Sequence, residues 1–213
     1  MKNFRINSVF LLFCTTFFVT SLLSAQWVKQ TLPTTQSQTH MQAAGTTVGK
    51  NVLWLQTIDA VADTNHVAAV EFVRTADGGR TYQKGTILPN NDEYYYSLRP
   101  FDATTAYLSA FEWATGESSI FRTVDAGASW QQLSYHPTSF IGTTLFYDAN
   151  NGFVLADPDD MGAFFAHTTD GGKTFTRVPQ TNLPKTSAHE AFNSGTYQIL
   201  GNAIFQPMIR RLA

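Results

Sequence analysis

The chain is 213 residues long with a formal net charge of −2. With Lys2 and Arg5 of the N-terminal segment set aside, 12 basic side chains face 16 acidic ones, a balance that argues against nucleic acid or an anionic membrane as the main partner. Cys14 is the one cysteine and lies in that same segment, so the remainder has no thiol for a disulfide, a thiolate metal site or a cysteine nucleophile.

Residues 1–25 read as a secretory signal, with Lys2 and Arg5 at its positive end, an apolar stretch from Val9 to Leu23, and Leu23-Ser-Ala25 as the cleavage site before Gln26. Phe13 before Cys14 argues against lipidation. The expected location is outside a bacterial cytoplasm: extracellular, cell-surface or periplasmic. No second apolar run approaches the roughly 20 residues that would span a bilayer as a helix. Residues 26–47 are rich in Thr and Gln and read as an extended lead-in.

Beyond the lead-in, one pattern occurs three times. It reads Thr75-Ala-Asp77-Gly-Gly79-Arg-Thr81-Tyr82, then Thr123-Val-Asp125-Ala-Gly127-Ala-Ser129-Trp130, then Thr168-Thr-Asp170-Gly-Gly172-Lys-Thr174-Phe175. The aspartates are 48 (125 minus 77) and 45 (170 minus 125) residues apart, a period of one propeller blade. The residue types suit a tight reversal. A carboxylate accepts hydrogen bonds from amides two or three residues on, glycine supplies positive φ, and the hydroxyls of Thr81, Ser129 and Thr174 close the far side. Tyr82, Trp130 and Phe175 are expected to turn inward between neighbouring sheets.

A second pattern keeps phase with the first: Phe101-Asp102-Ala-Thr-Thr-Ala-Tyr107 resembles Tyr147-Asp148-Ala-Asn-Asn-Gly-Phe153. The repeating unit is therefore a whole blade. The spacing predicts an all-β chain, a β-propeller of four-stranded antiparallel blades at about 48–88, 94–133 and 140–178, with part of a fourth at 188–205. Residues 206–213 lose propeller character, and Pro207 would interrupt a central strand. The next aspartate would fall near 215 to 218 (170 plus 45 or 48), beyond Ala213. The reading is therefore a truncated frame or fragment, whose last sheet would expose an edge open to self-association.

These residues make the chain resemble the Asp-box, or BNR-repeat, propellers of the sialidase-like superfamily. Within that group it is similar to secreted bacterial repeat proteins related to the photosystem II stability and assembly factor propellers. The similarity rests on the three boxes, on Gly152-Phe-Val-Leu-Ala-Asp157-Pro158, and on Glu190-Ala-Phe192, Gly195-Thr196 and Leu200-Gly201-Asn202, and it covers roughly residues 47 to 205.

A sialidase relative would carry an arginine cluster, an aspartate acid/base, a tyrosine nucleophile paired with a glutamate, and a Phe/Tyr-Arg-Ile-Pro segment. Here the nearest segment is Ser97-Leu-Arg99-Pro100, and Arg74 is the one arginine between the signal and the first box. The box aspartates recur once per blade, whereas a catalytic group is needed once, so their role is structural. Two patches remain as speculative binding residues: Tyr94 and Tyr96 of a tyrosine triplet, where a half-buried strand is the stronger reading, and Asp157, Asp159 and Asp160, where a solvated turn is. The histidines at 40, 66, 136, 167 and 189 form no pair with metal-ligand spacing. No cofactor and no metal is expected. The function read from the sequence is a secreted, non-catalytic module that binds or scaffolds protein or glycan; the alternative is a fragment of a sialidase-like glycoside hydrolase.

Overall fold

In the computed structural model of the protein, the described residues are 29, 31–33, 41–59, 70–88, 94–112, 115–136, 140–183, 185, 190–192, 198–200, 203–205 and 208–210. The chain divides into two compact units, 1–31 and 32–213. Only Lys29 and Thr31 of the first are described, so the segment read as a signal lies outside the described residues.

The second unit is built of antiparallel sheets. The first joins β1 (Met41–Val48), β2 (Val52–Asp59), β3 (Val70–Thr75) and β4 (Gln83–Leu88) in chain order. β5 (Tyr94–Pro100), β6 (Ala106–Glu112), β7 (Glu117–Thr123) and β8 (Gln131–His136) form the second in the same order. The third repeats it with β9 (Ile141–Phe146), β10 (Gly152–Asp159), β11 (Gly162–Thr168) and β12 (Thr176–Arg177). Three such four-stranded meanders in succession are blades, and the fold is an incomplete β-propeller. The one helical element among the described residues is a 3₁₀ turn at Gln180–Asn182, and no helix among them is long and apolar enough to cross a membrane.

The composition of each strand follows from where it lies. β6 is buried from Ala106 to Phe111 on both of its faces, which accounts for its run of apolar and small residues. The fourth strands are polar, with Gln83, Lys84, Gln131, Gln132 and Thr176 exposed, as befits strands with one open edge. Sheets stack face to face and the core lies in the seams. Trp54, Val70, Phe72 and Ile87 of the first sheet pack against Leu98, Ala106, Leu108 and Ala110 of the second. Ile120 of the second joins Ile141, Val154, Ala156, Phe164 and Ala166 of the third.

Three polar contacts cross the seams, where a buried group without a partner is costly. Gln56 Oε1 accepts from the Leu98 amide at 3.1 Å, the Ser109 and Thr144 hydroxyls bond at 2.5 Å, and Ser118 Oγ accepts from the Ile141 amide at 3.2 Å.

Two boundaries differ from the sequence reading. The first sheet begins at Met41, not Val48, so residues 41–47 of what reads as lead-in are strand. β1 lacks alternating large apolar residues because small ones suit its place: a Cβ on Gly45 would overlap the Leu55 side chain across the ladder. At the other end, the tail 206–213 contains β16 (Met208–Arg210), paired antiparallel with β13 (Glu190–Phe192). Pro207 precedes this strand and lies outside the described residues, and Ile209 within it is a good strand former. β14 (Gln198–Leu200) pairs with β15 (Ala203–Phe205). These four strands therefore form two short ladders and do not follow the order of the complete blades.

Candidate functional site

The three aspartate patterns form the loops after β3, β7 and β11, and the same knot of hydrogen bonds closes each. In the first, Thr75 Oγ1 donates to Asp77 Oδ1 at 2.8 Å and accepts from the amides of Asp77 and Gly79 at 3.3 and 3.0 Å. Asp77 Oδ1 also accepts from the amides of Arg80 and Thr81 at 3.0 and 2.9 Å, and Oδ2 accepts from the Thr81 hydroxyl at 2.5 Å. Asp125 repeats this with Thr123 at 2.7 Å and with Ser129 at 2.9 and 2.5 Å. Asp170 does so with Thr168 at 2.8 Å and with Thr174 at 3.0 and 2.6 Å. Both oxygens of every carboxylate are used within the turn.

The hydroxyl two residues before each aspartate carries three bonds of its own, one donated to the carboxylate and two accepted from backbone amides. Its presence in all three copies is the sequence signal for that role. A further amide of each turn staples it to the preceding hairpin of the same sheet: Gly78 to Asn51 O at 2.9 Å, Ala126 to Thr104 O at 2.8 Å, and Gly171 to Asn150 O at 2.8 Å. Ala126 sits at φ 65°, a left-handed conformation that costs a non-glycine residue roughly 1–2 kcal/mol.

The glycine that follows is where each turn meets the preceding sheet. Gly127 is buried, and a Cβ there would overlap the Phe72 ring of the first sheet. A Cβ on Gly172 would stand 2.9 Å from Leu133 Cδ1 of the second. Gly79, in the first sheet, is half-buried, and the phenol of Tyr82 lies over it instead. The aromatic residues divide likewise. Trp130 meets Phe72 edge-on at 6.1 Å, and Phe175 packs against the core of the second seam. Tyr82 curls back over its own turn, because no sheet among the described residues precedes its own.

Hydrogen bonding to the ionised form fixes the charge of these groups. The Ser129 hydroxyl, the Ser129 amide and the Thr123 hydroxyl hold the Asp125 carboxyl at about 2. Asp77, led by the Thr81 hydroxyl, and Asp170, led by that of Thr174, lie well below the usual carboxylate range. Folded values below the unfolded one mean that the unfolded chain binds more protons as pH falls, so the stability these groups contribute is complete above about pH 4 and is lost on acidification. The urea midpoint is therefore expected to be flat from pH 7 to about 5 and to fall between about pH 4 and 2. Asp125→Asn should lower the midpoint at pH 7 and flatten that acid limb; an unchanged acid limb would refute the assignment.

The second pattern also makes turns. Asp102 Oδ1 accepts from the amides of Thr104 and Thr105, each at 2.6 Å, and Asp148 Oδ1 from those of Asn150 and Asn151 at 2.8 and 2.7 Å. Each turn receives the preceding sheet. Trp54 Nε1 donates to Asp102 O at 3.1 Å and Arg74 Nη1 to Ala103 O, while the Arg74 guanidinium lies 5.3 Å over the Trp54 ring. In the next seam the Arg122 guanidinium lies 5.6 Å over the Tyr107 ring and extends to Gly171, where an added Cβ would stand 3.0 Å from Nη1. His167 occupies the same place in the third sheet and is exposed.

The speculative binding residues fall in β5 and in the β10–β11 hairpin. Tyr94 and Tyr96 lie in β5, opposite Glu112 and Ala110 of β6. Asp157 and Asp159 belong to β10 rather than to a turn, since a bulge between Ala156 and Asp159 accommodates Pro158 and prolongs the strand. Asp157 is half-buried with its amide on Phe140 O at 2.9 Å, and Asp160 is exposed at the hairpin tip. No group of three or more His, Cys, Asp or Glu side chains able to hold a metal ion occurs among the described residues.

The class defined by this geometry is a β-propeller whose blades are closed by aspartate turns. No protein-family model matches the chain, and no curated protein matches it. Among solved structures it is similar to YCF48 bound to a D1 peptide, with 16% identity, a TM-score of 0.43, and coverage of 82% of this chain and 57% of that one. It is also similar to an α-L-arabinofuranosidase from Fusarium graminearum in complex with an iminosugar inhibitor, with 12% identity, a TM-score of 0.47, and coverage of 83% and 63%. The chain thus spans less than two thirds of either.

Proposed function

We propose that the chain is an exported, non-catalytic Asp-box propeller module of the sialidase-like superfamily, which binds or scaffolds a protein or a glycan through its loops. The observation that carries this reading is the saturation of the three box carboxylates. Each spends both oxygens on its own turn and stays ionised at neutral pH, which leaves it nothing with which to transfer a proton or attack a sugar. Export is supported by the make-up of residues 1–25. The competing glycoside hydrolase reading is tested by incubating the purified protein with aryl sialosides, aryl arabinofuranosides and polysaccharides. No turnover above buffer is expected, together with retention of the protein on a glycan or peptide array. Turnover abolished by replacing a single carboxylate would overturn the proposal.

A further inference from the structure

Each complete sheet runs up and down in chain order, so its turns fall at two opposite ends. The connections after the first and third strands share one end, where Gly78 is stapled to Asn51 O, Ala126 to Thr104 O and Gly171 to Asn150 O. The connection between the second and third strands lies at the other end. Charge is divided unevenly between the two. At the stapled end Lys50, Arg74, Arg80, Arg122 and Lys173 stand among Asp77, Asp102, Asp125, Asp148 and Asp170, and these carboxylates are committed to their own turns.

The middle hairpins at the other end carry one sign only. That of the first sheet has Asp59 and Glu71 on its two arms, that of the second has Glu112 and Glu117, and that of the third has Asp157, Asp159 and Asp160. From 59 to 71, from 112 to 117 and from 157 to 162 the sequence holds no lysine or arginine. Arg177 comes near from β12, but its guanidinium is taken by Gly162 O and by the Phe164 ring, 4.8 Å away. Glu71 is 8% exposed and adds charge rather than contact surface, whereas Glu112, Glu117 and Asp157 are half-buried and Asp160 is exposed. Glu112 and Glu117 are also direct ladder partners, and like charges placed opposite each other weaken a hairpin. Local stability does not account for that rung; a positive group held over it would. At the tip of the third hairpin Met161 is 65% exposed, and a methionine adapts its shape to an apolar contact. A bare metal ion makes no use of such a contact, whereas a protein segment that mixes cations with apolar groups does.

Resting on the reading of the chain as a binding module, we propose that its partner docks at the end opposite the aspartate turns and meets it with a lysine- and arginine-rich protein segment. Complementary charge steers the encounter and rejects acidic partners, and a run of one sign across three blades suits an extended segment better than a point charge.

Oligolysine and oligoglutamate of equal length, fluorescently labelled and titrated with the full chain at low salt, test this by polarisation. Oligolysine should bind and oligoglutamate should not. Raising the ionic strength from about 0.01 to about 0.15 M, which shortens the Debye length from about 30 to about 8 Å, should weaken binding at least about tenfold. Glu112→Gln with Glu117→Gln should weaken it about three- to tenfold, and so should Asp159→Asn with Asp160→Asn. The urea midpoint of the glutamine variant should not fall, because a like-charge rung is gone. Lys50→Glu added to that variant restores the parent's net charge from the stapled end and should not restore binding. Full recovery there would show that net charge alone attracts the peptide and would overturn the docking face. Displacement by calcium chloride at ionic strengths where sodium chloride has no effect would make these hairpins a metal-ion site and overturn the partner. A peptide and glycan array that retains the protein on none of its lysine-rich spots would also overturn the partner while leaving the binding-module reading intact; an array that retains nothing would sink both.

Discussion

Gly127→Ala should destabilise the protein by roughly 2–5 kcal/mol, measured as a fall in the urea midpoint. Two costs combine. At φ 89° the backbone is left-handed, where an L side chain is strained, and the new methyl would intrude on the Phe72 ring. Gly116→Ala separates them, because Gly116 has φ 76° and nothing within 4 Å of an added Cβ; it should cost only about 1 kcal/mol. Phe72→Ala alone should cost about 3–5 kcal/mol, and the double variant clearly less than the sum, since the ring that the methyl strikes is gone. Additive effects would show that the turn and the preceding sheet do not meet as described.

Trp54→Ala should be as damaging, at about 3–5 kcal/mol. Trp54 is 0% exposed, packs 5.3 Å from Phe72, carries the Arg74 guanidinium on its face and donates to Asp102 O in the next sheet. Trp54→Phe keeps much of the packing and gives up the N–H, so about 1 kcal/mol should separate it from the parent. A Trp54→Ala protein within 1 kcal/mol of the parent would mean that the first seam does not hold the two sheets together.

The three blades were legible in the sequence because their turns are local: aspartate, glycine and hydroxyl lie within a few residues of one another, so the pattern that repeats is the pattern that bonds. The seams were not. Trp54 reaches a carbonyl 48 residues away and Arg74 one 29 residues away, and neither type announces its acceptor. β1 was hidden because a strand that receives large neighbours is itself made of small and polar residues, as Gly45 shows against Leu55. The inward turn expected of Tyr82 needs a preceding sheet, a condition that the residue's place in its own pattern does not reveal. Asp157 and Asp159 read as a turn because Pro158 stands between them, and a bulge resolved that conflict in favour of the strand.

The self-contained bonding of the aspartate turns also sets an order of assembly. Their hydrogen bonds close loops of two to four residues, whereas the seam bonds from Trp54, Gln56 and Arg74 close loops of 48, 42 and 29. Short loops form on the submicrosecond scale and lose little chain entropy, and long ones wait for them. Hairpin corners therefore appear early and blade-to-blade docking comes last, so replacing Asp125 should slow folding, whereas replacing Gln56 should chiefly hasten unfolding.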